Sequence, residues 1–181
     1  MNKLHETSWF NFRWRCRLAL VPLVLAIPLP IYAQVSIENL GELPAPQIQA
    51  AVVDCPVLWS PNHKMVPIEL DLLVSDTCTA PQDLILVCQV QSNEPDDANG
   101  DGSFTGDVDG ADGFSQPVNV SLSCNPDTGR WEGLMFLRAE RDGGGDGRHY
   151  SIRCIAADPS GNMTYATVCV TVPKSRGRGN R

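Results

Sequence analysis

The chain has 181 residues, of which 14 are Lys or Arg and 21 are Asp or Glu, so its formal net charge is −7 at pH 7. An acidic surface repels nucleic acid and anionic lipid and attracts cations, which excludes the basic nucleic-acid-binding classes. The length suits one domain with a sizeable core, preceded by a leader.

The first 33 residues have the pattern of a secretory signal peptide. Three arginines precede an apolar run of about 14 residues interrupted by prolines, which is short of the roughly 20 residues that a membrane span needs. We predict cleavage after Ala33, with an uncleaved anchor as the alternative, and a secreted or extracytoplasmic location in the periplasm or at the cell surface. Cleavage removes four basic residues and one acidic residue, which leaves 10 basic and 20 acidic residues.

Strand patterns begin after a linker that we place at residues 34–50, because Gly41, Pro44 and Pro46 interrupt any periodicity there. Apolar and polar residues alternate over residues 66–74, which predicts a half-buried strand. Residues 84–90 show the same alternation, residues 118–122 predict a shorter strand, and residues 131–139 predict one that is apolar on both faces.

The last two predicted strands form the clearest pattern in the chain. Residues 150–157 and 163–172 are rich in Ile, Val, Thr and Tyr, and the turn formers Asp158-Pro159-Ser160-Gly161-Asn162 separate them, which predicts a β-hairpin. Seven or so strands separated by turns indicate an all-β, immunoglobulin-like antiparallel sandwich over residues 51–173. Residues 174–181 are predicted to be a disordered basic tail.

Six cysteines follow the predicted signal peptide, and an even number in an exported chain favours disulfides over a metal site. Only two histidines accompany them and no Cys-x-x-Cys spacing is present, which argues against zinc. The sequence leaves the pairing open; we favour Cys55 with Cys169, Cys78 with Cys88, and Cys124 with Cys154. The first pair has a geometric motive, because an early edge strand that carries Cys55 could run beside the last strand.

An acidic insertion, residues 94–116, carries seven carboxylates between Glu94 and Asp112 and no basic residue. Its segment Asp97-Ala98-Asn99-Gly100-Asp101-Gly102 reproduces the opening of a calcium loop, in which oxygens at positions 1, 3 and 5 converge around a glycine-permitted bend. Position 12 is Val108, so Asp107 or Asp109 would have to complete the ligand set. We therefore predict calcium at Asp97, Asn99, Asp101, Asp107 and Asp109, with a flexible solvated loop as the alternative.

Exposed aromatic rings suggest a second kind of site, since a ring face attracts the apolar face of a sugar. Trp59 and Trp131 are the candidates for glycan binding, although most tryptophans in a sandwich serve packing. The motifs of serine hydrolases and zinc proteases are missing, so the chain is predicted not to be an enzyme.

Five spaced segments resemble the immunoglobulin-like modules of bacterial secreted proteins that are related to the hyalin-repeat (HYR) domain. They are Leu58-Trp59-Ser60-Pro61-Asn62-His63-Lys64, Ser75-Asp76-Thr77-Cys78, Ser92-Asn93-Glu94-Pro95, Leu137-Arg138-Ala139-Glu140-Arg141 and Asp158-Pro159-Ser160-Gly161-Asn162. The resemblance implies adhesion, spacing or carbohydrate-associated roles, and the chain departs from it by its single module and its acidic insertion.

These patterns together predict a secreted, non-catalytic binding or adhesion-type module that calcium could stabilise, with an unknown protein or glycan as its partner. Two alternatives stay open. One is a carbohydrate-active enzyme or its ancillary glycan-binding domain, which turnover of a polysaccharide would reveal. The other is a purely structural spacer, which would bind neither an ion nor a glycan.

Overall fold

The computed structural model describes residues 43–97 and 103–175, and in them the chain forms eight β-strands. The predicted signal peptide, residues 34–42 of the linker and residues 176–181 of the tail lie outside the described residues. The strands are β1 (Gln47–Val53), β2 (Met65–Ser75), β3 (Ile85–Ser92), β4 (Val118–Val120), β5 (Leu122–Asn125), β6 (Arg130–Arg138), β7 (Gly147–Ala157) and β8 (Met163–Pro173). Within the described part, no helix is long and apolar enough to cross a membrane.

The strands form two antiparallel four-stranded sheets with the orders β1-β2-β6-β5 and β4-β3-β7-β8. This is an immunoglobulin-like sandwich, which confirms the predicted fold class. The core lies between the two sheets, and its buried residues include Ile68, Leu70 and Leu72 of β2 and Ile152 and Ala156 of β7. The period of two that predicted these strands is therefore also the period of burial.

The final hairpin has the predicted turn, and its first strand begins at Gly147 rather than at the predicted residue 150. β7 pairs with β8 from Gly147↔Pro173 to Ala157↔Met163. In the turn, an Asp158 carboxylate oxygen accepts a hydrogen bond from the backbone N–H of Asn162 at 2.9 Å. The polar turn residues thus close the hairpin with their own hydrogen bonds.

Two predicted segments, the linker and the strand at residues 118–122, differ from the structure for reasons that the strand pairing explains. β1 begins at Gln47 and so occupies the end of the predicted linker; a β-bulge between Ile48 and Ala50 breaks the alternation that would have revealed it. The single short strand predicted at residues 118–122 is two strands, because the chain leaves one sheet after Val120 and joins β6 of the other sheet from Leu122.

A disulfide joins Cys88 of β3 to Cys154 of β7, and the two residues lie directly opposite each other in the pairing of these strands. The predicted pairings Cys78 with Cys88 and Cys124 with Cys154 are therefore wrong. The sequence could not reveal the true pair, because neighbouring positions on β3 and β7 are 66 residues apart in the chain. Cys55, Cys124 and Cys169 are free thiols in the structure.

Candidate functional site

The second half of the acidic insertion lies against the end of β6. Val108 is fully buried and forms a β-bridge with Leu137. The backbone of Asp107 accepts a hydrogen bond from the Arg138 N–H at 2.9 Å, and the Asp109 N–H donates to the Phe136 carbonyl at 2.9 Å. This part of the insertion is thus held by backbone pairing and apolar burial.

Where the insertion meets the two sheets, two arginines and three acidic residues form what we call the charge cluster: Glu94, Asp107, Arg138, Glu140 and Arg148. Arg148 of β7 and Arg138 of β6 both form ion pairs with Asp107, at 3.1 Å for the Arg138 Nε and Asp107 Oδ1 atoms. The Arg148 Nε lies 3.4 Å from the Glu94 Oε2, and its Nη2 donates to the Pro95 carbonyl at 3.0 Å. The side chains of Asp107, Glu140 and Arg148 are 0% exposed.

His63 and Phe104 cover the cluster from outside. The His63 Nδ1 lies 3.1 Å from the Glu140 Oε2, and its ring stacks on Phe104 of the insertion with 4.9 Å between ring centroids. The Arg138 guanidinium also contacts the Phe104 ring and lies 5.6 Å from its centroid. The cluster therefore connects the insertion to both sheets through charge, hydrogen bonds and ring contacts.

The predicted calcium ligands fall into two groups. Asp107 is buried between two guanidinium groups, and an Asp109 carboxylate oxygen accepts a hydrogen bond from the Phe136 N–H at 2.6 Å. Asp97 is exposed, and Asn99 and Asp101 lie outside the described residues. Residues 43–97 and 103–175 contain no group of three or more His, Cys, Asp or Glu residues that could hold a metal ion.

The phenol of Tyr150 lies beside the charge cluster and donates a hydrogen bond to the Arg138 carbonyl at 2.8 Å. Its burial raises its pKa to about 12, against the opposing attraction of Arg148. A tyrosinate is thus disfavoured at this position, although a guanidinium lies 5.9 Å from the ring centroid.

The raised pKa of Tyr150 predicts a loss of stability in alkali. Between pH 10 and 12 the folded state keeps the phenol proton of Tyr150, whereas the unfolded chain releases it. The stabilisation of the folded state by the neutral phenol is therefore complete below pH 10 and is lost as the pH rises towards 12. The wild type should lose about 2 to 3 kcal/mol more than Tyr150→Phe over that interval. Urea unfolding of both proteins at pH 9 and pH 11.5 measures the difference, and equal losses would show that Tyr150 does not titrate in this way.

The two tryptophans proposed for glycan binding occupy different environments. Trp131 points into the core from β6 and is 9% exposed, so its ring serves packing. Trp59 is 40% exposed. The pair does not form one stacking platform, because one ring faces the core and the other faces solvent.

A depression of about 570 Å³ lies on the outer face of the β1-β2-β6-β5 sheet. Its lining includes the carboxylates of Glu69, Asp71 and Glu132 and the hydroxyls of Ser121 and Ser123. Asp71 and Glu132 lie directly opposite each other, and Asp71 also forms an ion pair with Arg130. The polar lining suits the glycan alternative, but the residues that line the depression include no aromatic ring.

The opposite sheet carries an apolar surface that we call the outer patch: Ile85, Val87, Ile155, Ala157, Met163 and Tyr165. Strand register arranges it in two rows, Ile85↔Ala157↔Met163 and Val87↔Ile155↔Tyr165, on the face that points away from the core. The exposed fractions are 61% for Ile85, 43% for Val87, 52% for Met163 and 52% for Tyr165. In the sequence, the only sign of the outer patch is that some solvent-facing positions of three strands hold apolar residues. The alternation read over residues 84–90 drew attention to the buried positions instead.

Charge distinguishes the outer patch from the rest of this acidic protein. Apart from Arg153 and His149, the outward positions of β3, β7 and β8 carry uncharged groups such as Gln89, Ser151 and Thr167, and none of these positions holds a carboxylate. Arg153 borders the patch, and its guanidinium lies 4.9 Å from the centroid of the Tyr165 ring. The patch is therefore apolar with a positive margin.

Comparison with known proteins finds no matching family model, no similar curated protein and no similar solved structure.

Proposed function

We propose that the domain is a secreted or extracytoplasmic, non-catalytic binding module that docks another protein through the outer patch. The observation that carries this proposal is a surface of six adjacent apolar side chains on three paired strands, four of which are at least 43% exposed. Isolated apolar residues are common on protein surfaces, whereas contiguous ones are typical of interaction sites. The Cys88–Cys154 disulfide is compatible with the proposed oxidising location.

The chemistry of the outer patch favours a protein over a glycan as the partner. Sugars need several polar side chains to satisfy their hydroxyls, but the patch offers Ile85, Val87 and Ile155 around a single tyrosine. The outer patch is complementary to an apolar protein surface that carries a carboxylate opposite Arg153. Tyrosine and arginine beside each other are also the residue types that most often dominate binding energy.

The charge cluster favours a binding function over a catalytic one, because its carboxylates form structural ion pairs and hydrogen bonds. Asp107 contacts two guanidinium groups, and Glu94 accepts from both the Asp142 N–H at 2.7 Å and Arg148. A general acid or nucleophile needs contact with a substrate, and these carboxylates are turned towards arginines instead. A glycan-binding or carbohydrate-active role would have to use the depression at Glu69, Asp71 and Glu132.

Calcium remains a prediction for Asp97, Asn99 and Asp101. The partners of Asp107 and Asp109 argue against their joining that ligand set, since calcium prefers oxygens that can turn towards it together. The proposed function does not depend on the ion.

Site-specific photo-crosslinking tests the proposal. A benzophenone side chain at position 87 reports on the outer patch, and the same group at position 132 reports on the opposite sheet. In the extracytoplasmic fraction of the source cells, we expect a discrete cross-linked protein from position 87 that is absent from position 132 and is lost in Arg153→Glu. Equal products from the two positions would overturn the proposal, as would saturable binding of purified polysaccharide as the only interaction.

Sedimentation velocity of the purified protein tests whether a second copy of this chain, rather than a different protein, covers the outer patch. A monomer is expected at micromolar concentration. A dimer that the Ile85→Ser/Tyr165→Ser change dissociates would show that a second copy of this chain covers the outer patch, which would contradict a separate protein partner.

A further inference from the structure

We infer that Cys55 and Cys169 are the two halves of a disulfide that fastens the sheets together along one edge of the sandwich. Both residues carry free thiols in the structure, Cys55 partly buried and Cys169 exposed. Formation of this bond does not depend on the proposed partner, because it follows from the β-pairing beside the two cysteines.

The segment that follows β1 runs parallel to β8. The Leu58 N–H donates to the Thr171 carbonyl at 2.8 Å, and the Thr171 N–H donates to the Pro56 carbonyl at 2.9 Å. These two bonds define a parallel bridge between Val57 and Thr171. β1 belongs to one sheet and β8 to the other, so this short pairing is where the two sheets meet.

The bridge between Val57 and Thr171 is isolated, and its parallel register, continued two residues back along each segment, would place the two cysteines opposite each other. Cys55 stands two residues before Val57, and Cys169 stands two residues before Thr171. Residues at equal offsets in a parallel ladder lie opposite each other and point to the same face, because the side-chain period of a strand is two. Neighbouring strands are about 4.8 Å apart, which falls within the range of Cα separations that a disulfide spans.

Accessibility favours the reaction. Cys169 is on the exposed face of β8, where a disulfide oxidant can reach its sulfur. The Cys169 thiolate would attack the S–S bond of an oxidised thiol reagent, such as oxidised glutathione or an oxidised thiol–disulfide oxidoreductase. That attack forms a mixed disulfide on Cys169 and expels one oxidant sulfur as a thiolate. The Cys55 thiolate then attacks the Cys169 sulfur, which forms the Cys55–Cys169 bond and expels the second oxidant sulfur as a thiolate. The two cysteines lose two protons and two electrons, and the oxidant gains them.

Cys124 makes a matched control. It is also a partly buried free thiol, but it lies on β5 and is paired with Trp131 of β6. The register of β5 places no cysteine of β6 opposite it.

The test is non-reducing peptide mapping of the full chain after equilibration with oxidised and reduced glutathione, combined with maleimide labelling. We expect a Cys55–Cys169 cross-linked peptide, and one newly labelled thiol at the remaining partner in Cys55→Ser or Cys169→Ser. Cys124→Ser should leave the cross-link unchanged. The oxidised protein should unfold at a temperature about 10 °C above that of Cys55→Ser/Cys169→Ser, because the bond closes a long loop. Full labelling of both Cys55 and Cys169 in the oxidised wild type would overturn the inference.

Discussion

Arg148→Ala should lower the free energy of unfolding by about 3 to 5 kcal/mol, because it leaves buried carboxylates without their main cation. Arg148 is fully buried and contacts Asp107, Glu94 and the Pro95 carbonyl. Its loss removes the link between β7 and the acidic insertion, so the insertion should also become sensitive to protease. Chemical denaturation and limited proteolysis measure the two effects.

Arg130→Ala is the matched control for the ion pair. Arg130 also contacts an aspartate on a neighbouring strand, Asp71, but the two side chains are 47% and 43% exposed. Water screens such a pair, so the change should cost about 0 to 1 kcal/mol. If Arg148→Ala yields too little folded protein, Asp107→Asn provides the same comparison from the other side of the pair. Costs for Arg148→Ala and Asp107→Asn no larger than that of Arg130→Ala would show that the charge cluster does not hold the insertion.

Replacement of both Cys88 and Cys154 by Ala should destabilise the protein by about 4 kcal/mol. The bond links strands β3 and β7 across a sequence separation of 66 residues, and it lies in the core, where Cys88 is 0% exposed. Without it the unfolded chain regains the entropy that the closed loop withholds. Thermal and urea unfolding of the double variant provide the measurement.

Cys124→Ala serves as the control for that prediction, since it removes a partly buried thiol without opening a bond. It should change stability by about 1 kcal/mol or less. A Cys88→Ala/Cys154→Ala protein as stable as Cys124→Ala would mean that the Cys88–Cys154 bond does not stabilise the fold.

Local patterns predicted most of the fold because the core is built by alternation. Ile68, Leu70 and Leu72 share one parity in the sequence and one buried face in β2. The final hairpin was predictable for the same reason, with the help of its turn residues. At the bulge between Ile48 and Ala50 the alternation is interrupted, and β1 was therefore not predicted from the sequence.

Contacts between distant residues were harder to predict. The insertion has no basic residue of its own, which suggested a solvated or ion-binding loop, yet Arg138 and Arg148 reach Asp107 from β6 and β7. Those pairs depend on strand order, which no local pattern contains. Cys88 and Cys154 became neighbours for the same reason. The outer patch needed the topology as well, since only the sheet order shows that the exposed positions of β3, β7 and β8 form one surface.

The proposed function requires the outer patch to be the binding surface of the module. We would measure this by isothermal titration calorimetry with the partner protein that photo-crosslinking identifies, purified on its own. It is titrated into three proteins: the wild type, the patch variant Ile85→Ser/Tyr165→Ser and the control Val52→Ser/Leu134→Ser. The control removes two side chains that are also about half exposed, at 57% and 53%, from the outer face of the other sheet. We predict that affinity falls about 100-fold in the patch variant, while the control binds like the wild type. Equal affinities for all three proteins, with each shown to be folded, would mean that the partner does not bind at the outer patch.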